Sequence, residues 1–448
     1  MKGKRVIFFL LILGVWVFSC TPDAHFEFGR ESSGESSLSG PRQAVDPVRD
    51  VMLLVSGGHN SLSSYLKEDQ EEIFASYLPQ GMDKGSNVLL VLSRLPVIAN
   101  SIFTTSAPVL YRVYADSEGQ VVRDTLKRWS EDDRLFGDHV LREAMLLTRD
   151  RYPARSYGMV FSSHASGWLP EGYYNNPGEF EGTSPDGGGI FFSPRRMDVS
   201  TFPPLVPDGP PVKSIGQDKD GNESLEMELE DFVAAIPIHL DYILLDCCLS
   251  GCIEVAWALR EKCDLLGFSQ TEQLAEGFDY TSLVKHLLGG TQPNPLGVCE
   301  DLFAYYDAQT GIMRSATISL VDTRKLDALA AVCTELFGKY RQPLAALNGN
   351  KVQGYFRYDR HFFYDLEDIL LQAGIDAEEQ VQLAAALAEC TVYKAATPYF
   401  MEGGTYGFPI NHYSGFSMYL PSMGTDFLDN YYRNHIEWNH VTQLVEEI

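Results

Sequence analysis

The sequence predicts an α/β fold: a mostly parallel β-sheet flanked by helices, followed by a smaller C-terminal subdomain. Three observations point there. Short continuous apolar runs recur along the chain, such as residues 51–55 (VMLLV) and 87–92 (NVLLVL), and strands buried on both faces read this way. Segments of helical character alternate with them, as expected of helices covering both faces of a parallel sheet. After about residue 345 the pattern changes to a long helical stretch and then an aromatic-rich one.

The first residues are not part of that fold. Lys2, Lys4 and Arg5 precede an apolar run at 6–18. The run is too short for a spanning helix and fits a secretory signal, expected over 1–19. It ends in Val17-Phe18-Ser19-Cys20, which resembles the bacterial lipobox and implies lipidation at Cys20. Residues 20–48 are rich in Ser, Gly, Glu and Pro and read as a flexible tether. The expected organisation of the 448 residues is thus a main domain over 49–345 and an α+β subdomain over 346–448.

Within the body, residues 51–55 and 87–92 predict buried strands and 63–77 a helix. A strand or hairpin arm is expected at 109–114 and a helix at 138–148. The segment 157–162 (YGMVFS) predicts a strand running into His164, and 242–245 (YILL) one running into Asp246-Cys247-Cys248. A helix follows at 253–260, then strands at 265–269 and 316–321. Residues 170–221 carry many Gly, Pro, Asp and Ser and no convincing element, and loops that long are functional or mobile. One helical stretch is expected over 366–387, with Asp365 or Asp376 as its cap. Residues 391–420 are more strand-like.

Apolar residues make up 45% of the chain, so a sizeable core is expected and bulk disorder is not. The net charge of −26 disfavours nucleic acid and anionic lipid surfaces as partners. Of the eight cysteines, removing Cys20 leaves seven, an odd number, so at least one thiol lies outside any intramolecular disulfide. No pattern of zinc-ligand spacing is present, and no metal ligand is assigned.

Cys248 and His164 carry the candidate chemistry. Both follow directly on apolar strands, and ligand sites in open α/β sheets collect at the carboxyl ends of strands. A thiolate is the competent nucleophile. A neighbouring His and the start of the 253–260 helix are expected to lower the thiol pKa. The small residues around His164 (Ser162-Ser163-His164-Ala165-Ser166-Gly167-Trp168) leave room for a substrate backbone. Taken singly, a buried structural Cys and a satisfied loop His are the plainer readings of these two residues.

Together the two segments resemble the clostripain-like cysteine peptidases. That family carries a strand ending in a Ser-His-Gly-Ser-Gly-Trp-like segment, and a later strand ending in Asp-Ala-Cys-Leu-Met-like residues before a helix. The second segment here reads Asp246-Cys247-Cys248-Leu249-Ser250-Gly251-Cys252. Its Asp-x-Cys register assigns the nucleophile to Cys248, with Cys247 in the place of a small residue. Supporting stretches lie at 51–65, 267–272 and 414–421, so the likeness covers about residues 49–421.

The resemblance implies a caspase-like fold, shared with gingipains and legumains, and a Cys–His dyad. It implies that His164 activates Cys248, and that the oxyanion is met by the backbone N–H groups of Cys248 and of Ala165, where relatives usually carry Gly. It implies that Asp246 lines the first substrate pocket and pairs with Arg or Lys; capping the following loop is the plainer role for such an Asp. Zymogen processing would fall at Arg195, Arg196 or Lys213. No cofactor is required. Calcium is known among relatives, and residues 218–223 supply oxygen ligands without full EF-hand spacing.

The function expected is a cysteine endopeptidase cleaving after Arg or Lys. Ala165 and Cys247 leave open a catalytically silent surface lipoprotein that binds peptides or glycans. A redox role for Cys247, Cys248 and Cys252 is a more distant alternative. The partners expected are protein or peptide substrates and, through the N-terminal lipid, a membrane, with the chain a monomer in the bacterial cell envelope, facing the periplasm or the outside.

Overall fold

The computed structural model describes residues 49–81, 86–95, 97–99, 102–104, 106–137, 139–174, 177–180, 215–220, 223–357, 361–404 and 406–446. The signal segment, Cys20, the tether, and Arg195, Arg196 and Lys213 lie outside these residues.

Nine strands form the main sheet, in the order Thr391–Ala396, Thr317–Asp322, Cys263–Phe268, Leu240–Asp246, Ser156–Ser162, Asp50–Ser56, Val88–Ser93, Val109–Ala115, Val121–Arg128. The five central strands, from Cys263–Phe268 to Val88–Ser93, run parallel. Two antiparallel strands close each side. The expected mostly parallel sheet with flanking helices is therefore present.

Strand periodicity explains how one apolar run serves two cores. Successive side chains point to opposite faces. Val51, Leu53 and Val55 enter one core with Leu141, Met145 and Phe161. Met52 and Leu54 enter the other with Ile73, Leu283 and Leu287. The helices Ser63–Ala75, Tyr280–Leu288 and Pro295–Asp307 cover the second face. Val140–Arg151, Ile253–Leu259, Leu326–Lys339 and Ala377–Cys390 cover the first. Each fully buried aliphatic side chain contributes roughly 1.5–3 kcal/mol, so the central strands, buried on both faces, contribute strongly to holding the sheet between its helices.

Two sequence expectations need correction. The single helix over 366–387 is two, Leu366–Ala373 and Ala377–Cys390. Gly374 adopts φ +90 and ends the first; Asp376 and Glu379 form a reciprocal capping box that starts the second. Asp365 and Asp376 are both caps, one for each helix. The irregular stretch 170–221 also ends in structure: Ile215–Asp220 pairs with Glu223–Met227 as an antiparallel hairpin.

The C-terminal residues pack closely on the main sheet and on the helix that follows Cys248. Thr391–Ala396 is the edge strand of the main sheet. The N–H of Ser417 donates to the Gly251 carbonyl at 2.9 Å. Buried Glu254, in the helix after Cys248, accepts from the Tyr419 N–H at 2.9 Å and the Tyr432 hydroxyl at 2.8 Å. Burial pushes that carboxyl up to about 7, against those bonds.

Candidate active site

The strands that carry the two candidate residues are neighbours. Ser156–Ser162 and Leu240–Asp246 run parallel, with Ser162 opposite Asp246. His164 and Cys248 each stand two residues beyond that aligned pair, on the same edge of the sheet. Adjacent strands lie about 4.8 Å apart, so a pair remote in sequence becomes local in space. Both residues are buried, at 3% and 7% exposure.

The turn after Asp246 is under conformational constraint. Leu249 adopts φ +56, a left-handed region that branched, non-Gly residues avoid. Its N–H donates to the Thr271 carbonyl at 2.9 Å, and the Gly251 N–H to Ser269 O at 2.6 Å. Gly251 has no room for a side chain, since a Cβ there would meet the Gln270 nitrogen at 2.6 Å. These contacts fix the loop between strand and helix and thereby fix Cys248. The neighbouring Cys247 directs its thiol to the Phe161 carbonyl at 3.5 Å, and burial raises its pKa well above the ordinary thiol value.

Cys248 is held as a thiol. Its Sγ accepts from the Gln273 N–H at 3.3 Å and reaches the Gln273 carbonyl at 3.8 Å. Burial, and then the charge of Glu272, push its pKa up to about 12; the Gln273 N–H and Arg357 act the other way. The expected lowering by the following helix is thus overridden in this arrangement: the helix begins only at Ile253, and desolvation is the larger effect. Glu272 is itself buried against Arg357, which donates through Nε at 2.7 Å and through Nη2, and the Tyr174 hydroxyl approaches Glu272 at 3.3 Å.

His164 is held from two sides. Its Nε2 lies 3.0 Å from the Ser61 hydroxyl. Its carbonyl accepts from the Gly216 N–H at 2.9 Å, Ala165 bridges to Ile215, and the Gln217 N–H donates to Ser163 Oγ at 3.3 Å. The hairpin after residue 214 therefore braces the His loop. Ala165 lies outside the left-handed region, so its backbone conformation does not require Gly. Gly167 does, at φ +64, and a Cβ on it would sit 2.6 Å from the Leu249 carbonyl. That close approach packs the His loop directly on the Cys loop.

Asp246 forms part of a pocket beside Cys248. The pocket is small and partly open to solvent, and Leu62, Tyr65, Asp69, Asp246, Cys248 and Leu274 are among its walls. Asp246 Oδ2 accepts from the Tyr280 hydroxyl at 2.6 Å and from Ser162 Oγ and the Phe278 N–H at 3.4 Å. Burial pushes the carboxyl up to about 6 despite those three donors. Gly277 (φ +61) lies so close that a Cβ would meet Oδ2 at 2.3 Å.

Asp218, considered above as an oxygen ligand, is fully buried. Its Oδ1 accepts from Arg94 and from the His59 N–H at 2.9 Å, and its Oδ2 from the Leu135 N–H at 2.7 Å. A carboxylate neutralised by an internal Arg does not fit calcium coordination. Among the described residues no group of three or more His, Cys, Asp or Glu is placed to hold a metal.

No role for Ser61, Asp69, Gln273 or the Glu272–Arg357 pair was expected from the sequence. Only Asp69 carried a readable signal. It shares the buried stripe Leu66, Asp69, Gln70, Ile73 of its helix, and an acid on an apolar stripe is unusual. The others depend on loop geometry that no spacing encodes.

The clostripain (C11 peptidase) family model matches residues 207–440, which include Asp246 and Cys248; His164 precedes them. The chain belongs to the clostripain family, and it is by that membership a peptidase. Among solved structures it is similar to an inactive zymogen C11 protease from Parabacteroides distasonis. That likeness has 24% identity and a TM-score of 0.67, and covers 89% of this chain and 99% of the other. It is also similar to a secreted C11 cysteine protease from Bacteroides thetaiotaomicron in complex with an irreversible peptide inhibitor. There the identity is 23% and the TM-score 0.66, with the same coverage. At these identities the likeness is one of fold. Among curated proteins none matches the chain.

Proposed function

We propose that the chain is a cysteine endopeptidase that uses Cys248 and His164 and cleaves after Arg or Lys. The observation that carries this reading is the register of the two strands, which sets both residues at equivalent positions on one sheet edge. In the reaction, His164 takes the Cys248 proton as Sγ attacks the scissile carbonyl carbon. Backbone N–H groups of Cys248 and Ala165 meet the oxyanion. The C–N bond then breaks as His164 returns the proton to the leaving amine, and water, deprotonated by His164, hydrolyses the thioester. Asp246, buried and charged beside the nucleophile, receives the cationic side chain.

The thiol near 12 and the His164–Ser61 contact support a resting form. In this reading, processing at Arg195, Arg196 or Lys213 lets His164 turn from Ser61 to Cys248. Lipidation at Cys20 tethers the enzyme to the cell envelope, facing the periplasm or the outside. The same raised thiol supports a second reading, a silent lipoprotein that binds peptides or glycans.

A panel of fluorogenic peptides differing only in the residue before the reporter separates the two. Hydrolysis confined to Arg and Lys is expected once the chain has been processed. Absence of turnover by processed, folded protein favours the binding role. In the same assay Gly277→Ala is expected to lower kcat/KM for those peptides by roughly tenfold or more, because its Cβ displaces the Asp246 carboxylate. Unchanged kinetics would remove Asp246 from the pocket's working surface.

A further inference from the structure

The pocket contains a second acid besides Asp246. Asp69 lies on the helix Ser63–Ala75, is only 6% exposed, and lines the same cavity as Asp246 and Cys248. Its helix neighbour Gln70 is fully engaged: Nε2 donates to Ser56 and Ser93, and Oε1 accepts from the Tyr111 hydroxyl. Asp69 is not. Among the described residues no hydrogen-bond donor meets its carboxyl, and the charges acting on it, Asp246, Glu72 and Glu68, are all negative. Its oxygens are not sealed off from the cavity, so they stand open to a donor that arrives with the ligand.

We propose that Asp69 is a second specificity residue, which together with Asp246 forms a two-carboxylate floor for the cationic side chain of the substrate. The proposal rests on the pocket being the substrate's first pocket. Asp246 is fixed by three donors to one oxygen. Asp69 lines the same pocket and supplies acceptors that no donor among the described residues occupies. A guanidinium offers five N–H donors and an ammonium three, more than one partly engaged carboxylate can accept. A second acceptor therefore favours a cation over a neutral isostere of the same shape.

Two carboxylates facing one largely buried pocket do not both ionise readily. Burial, then Asp246, push Asp69 up to about 9, while burial holds Asp246 at about 6. Other titratable groups facing the pair are Glu68 and Glu72 on its own helix, Tyr280 and Tyr306 on the packed helices, and Cys248. Near neutrality the empty pocket thus keeps a proton on Asp69. An entering ammonium or guanidinium favours the ionised form, so Asp69 releases that proton to solvent as the ion pair forms. The affinity for a cation accordingly rises with pH up to the Asp69 pKa, above which no proton remains to be released.

The test compares Arg-ended peptides with their citrulline counterparts, which keep the shape and lose the charge. It uses the full processed chain, its Asp69→Asn and Asp246→Asn variants, and a pH series. Asp69→Asn is expected to raise KM for the Arg peptide by roughly tenfold, to leave the citrulline peptide within about twofold, and to flatten the fall of KM with pH. Wild-type behaviour of Asp69→Asn, beside an Asp246→Asn variant that loses its Arg preference, overturns the role of Asp69 and leaves the pocket intact. An Arg-to-citrulline ratio unmoved by either variant overturns the pocket itself. As a check independent of how Asp69→Asn folds, benzamidine binding to the unmodified chain is also measured by calorimetry in two buffers of different ionisation enthalpy. About one proton released per ligand is expected near pH 7.5; none released, or no binding, overturns the proposal.

Discussion

Replacing Cys248 by alanine is expected to abolish peptide cleavage, with a loss of kcat on the order of 10⁴–10⁶. The covalent route disappears with Sγ, and what survives is substrate positioning and the backbone oxyanion donors. Replacing His164 by alanine is expected to cost nearly as much, and the double variant little more, because the two act as one unit. Cys247→Ala is the internal control. Its thiol is bonded to the Phe161 carbonyl and raised well above the ordinary range, so activity within about threefold of the parent is expected, as for a near-isosteric core change. Activity lost equally in both cysteine variants, measured on folded protein with an Arg-ended fluorogenic peptide, would contradict the assignment.

The second large effect is expected at Asp246. Its carboxylate is fixed by Tyr280, Ser162 and the Phe278 N–H in a pocket that ends at Cys248. Asp246→Asn keeps the shape and an acceptor for Tyr280 but removes the charge. Losing one partner of a buried ion pair costs roughly 2–5 kcal/mol, or about 30- to 5,000-fold in kcat/KM for Arg and Lys peptides. Neutral peptides are expected to change little. A uniform loss over all peptides would show instead that Asp246 supports the loop rather than reading the substrate.

The central sheet was legible because its strands are buried on both faces and read as uninterrupted apolar runs. Val121–Arg128 was not, since this outer strand (VVRDTLKR) has neither a continuous apolar run nor a period-2 apolar pattern and none of its residues is fully buried. The helix break at Gly374 was signalled by Gly followed by an Asp-x-x-Glu capping pattern, but the apolar periodicity carried through it. The positions of His164 and Cys248 just past two apolar strands were legible, while their choice as a pair rested on the family resemblance of the two segments. Their lateral register was not legible, because it depends on which strands pair. The Ser61 contact, the Gln273 clamp on Sγ and the buried Glu272–Arg357 pair join loops distant in sequence, and no local pattern encodes them. The expected fall in the Cys248 pKa failed for a related reason: burial is a property of the assembled loops, and here it outweighs the helix.

Covalent trapping tests the central claim most directly. Processed protein is treated with a Lys- or Arg-directed acyloxymethyl ketone, digested, and its adduct located by mass spectrometry, beside a His164→Ala sample. One adduct per chain is expected, on Cys248, formed far more slowly without His164. An adduct on Cys247 or Cys252, or none on a folded chain that still cleaves peptides, would contradict it.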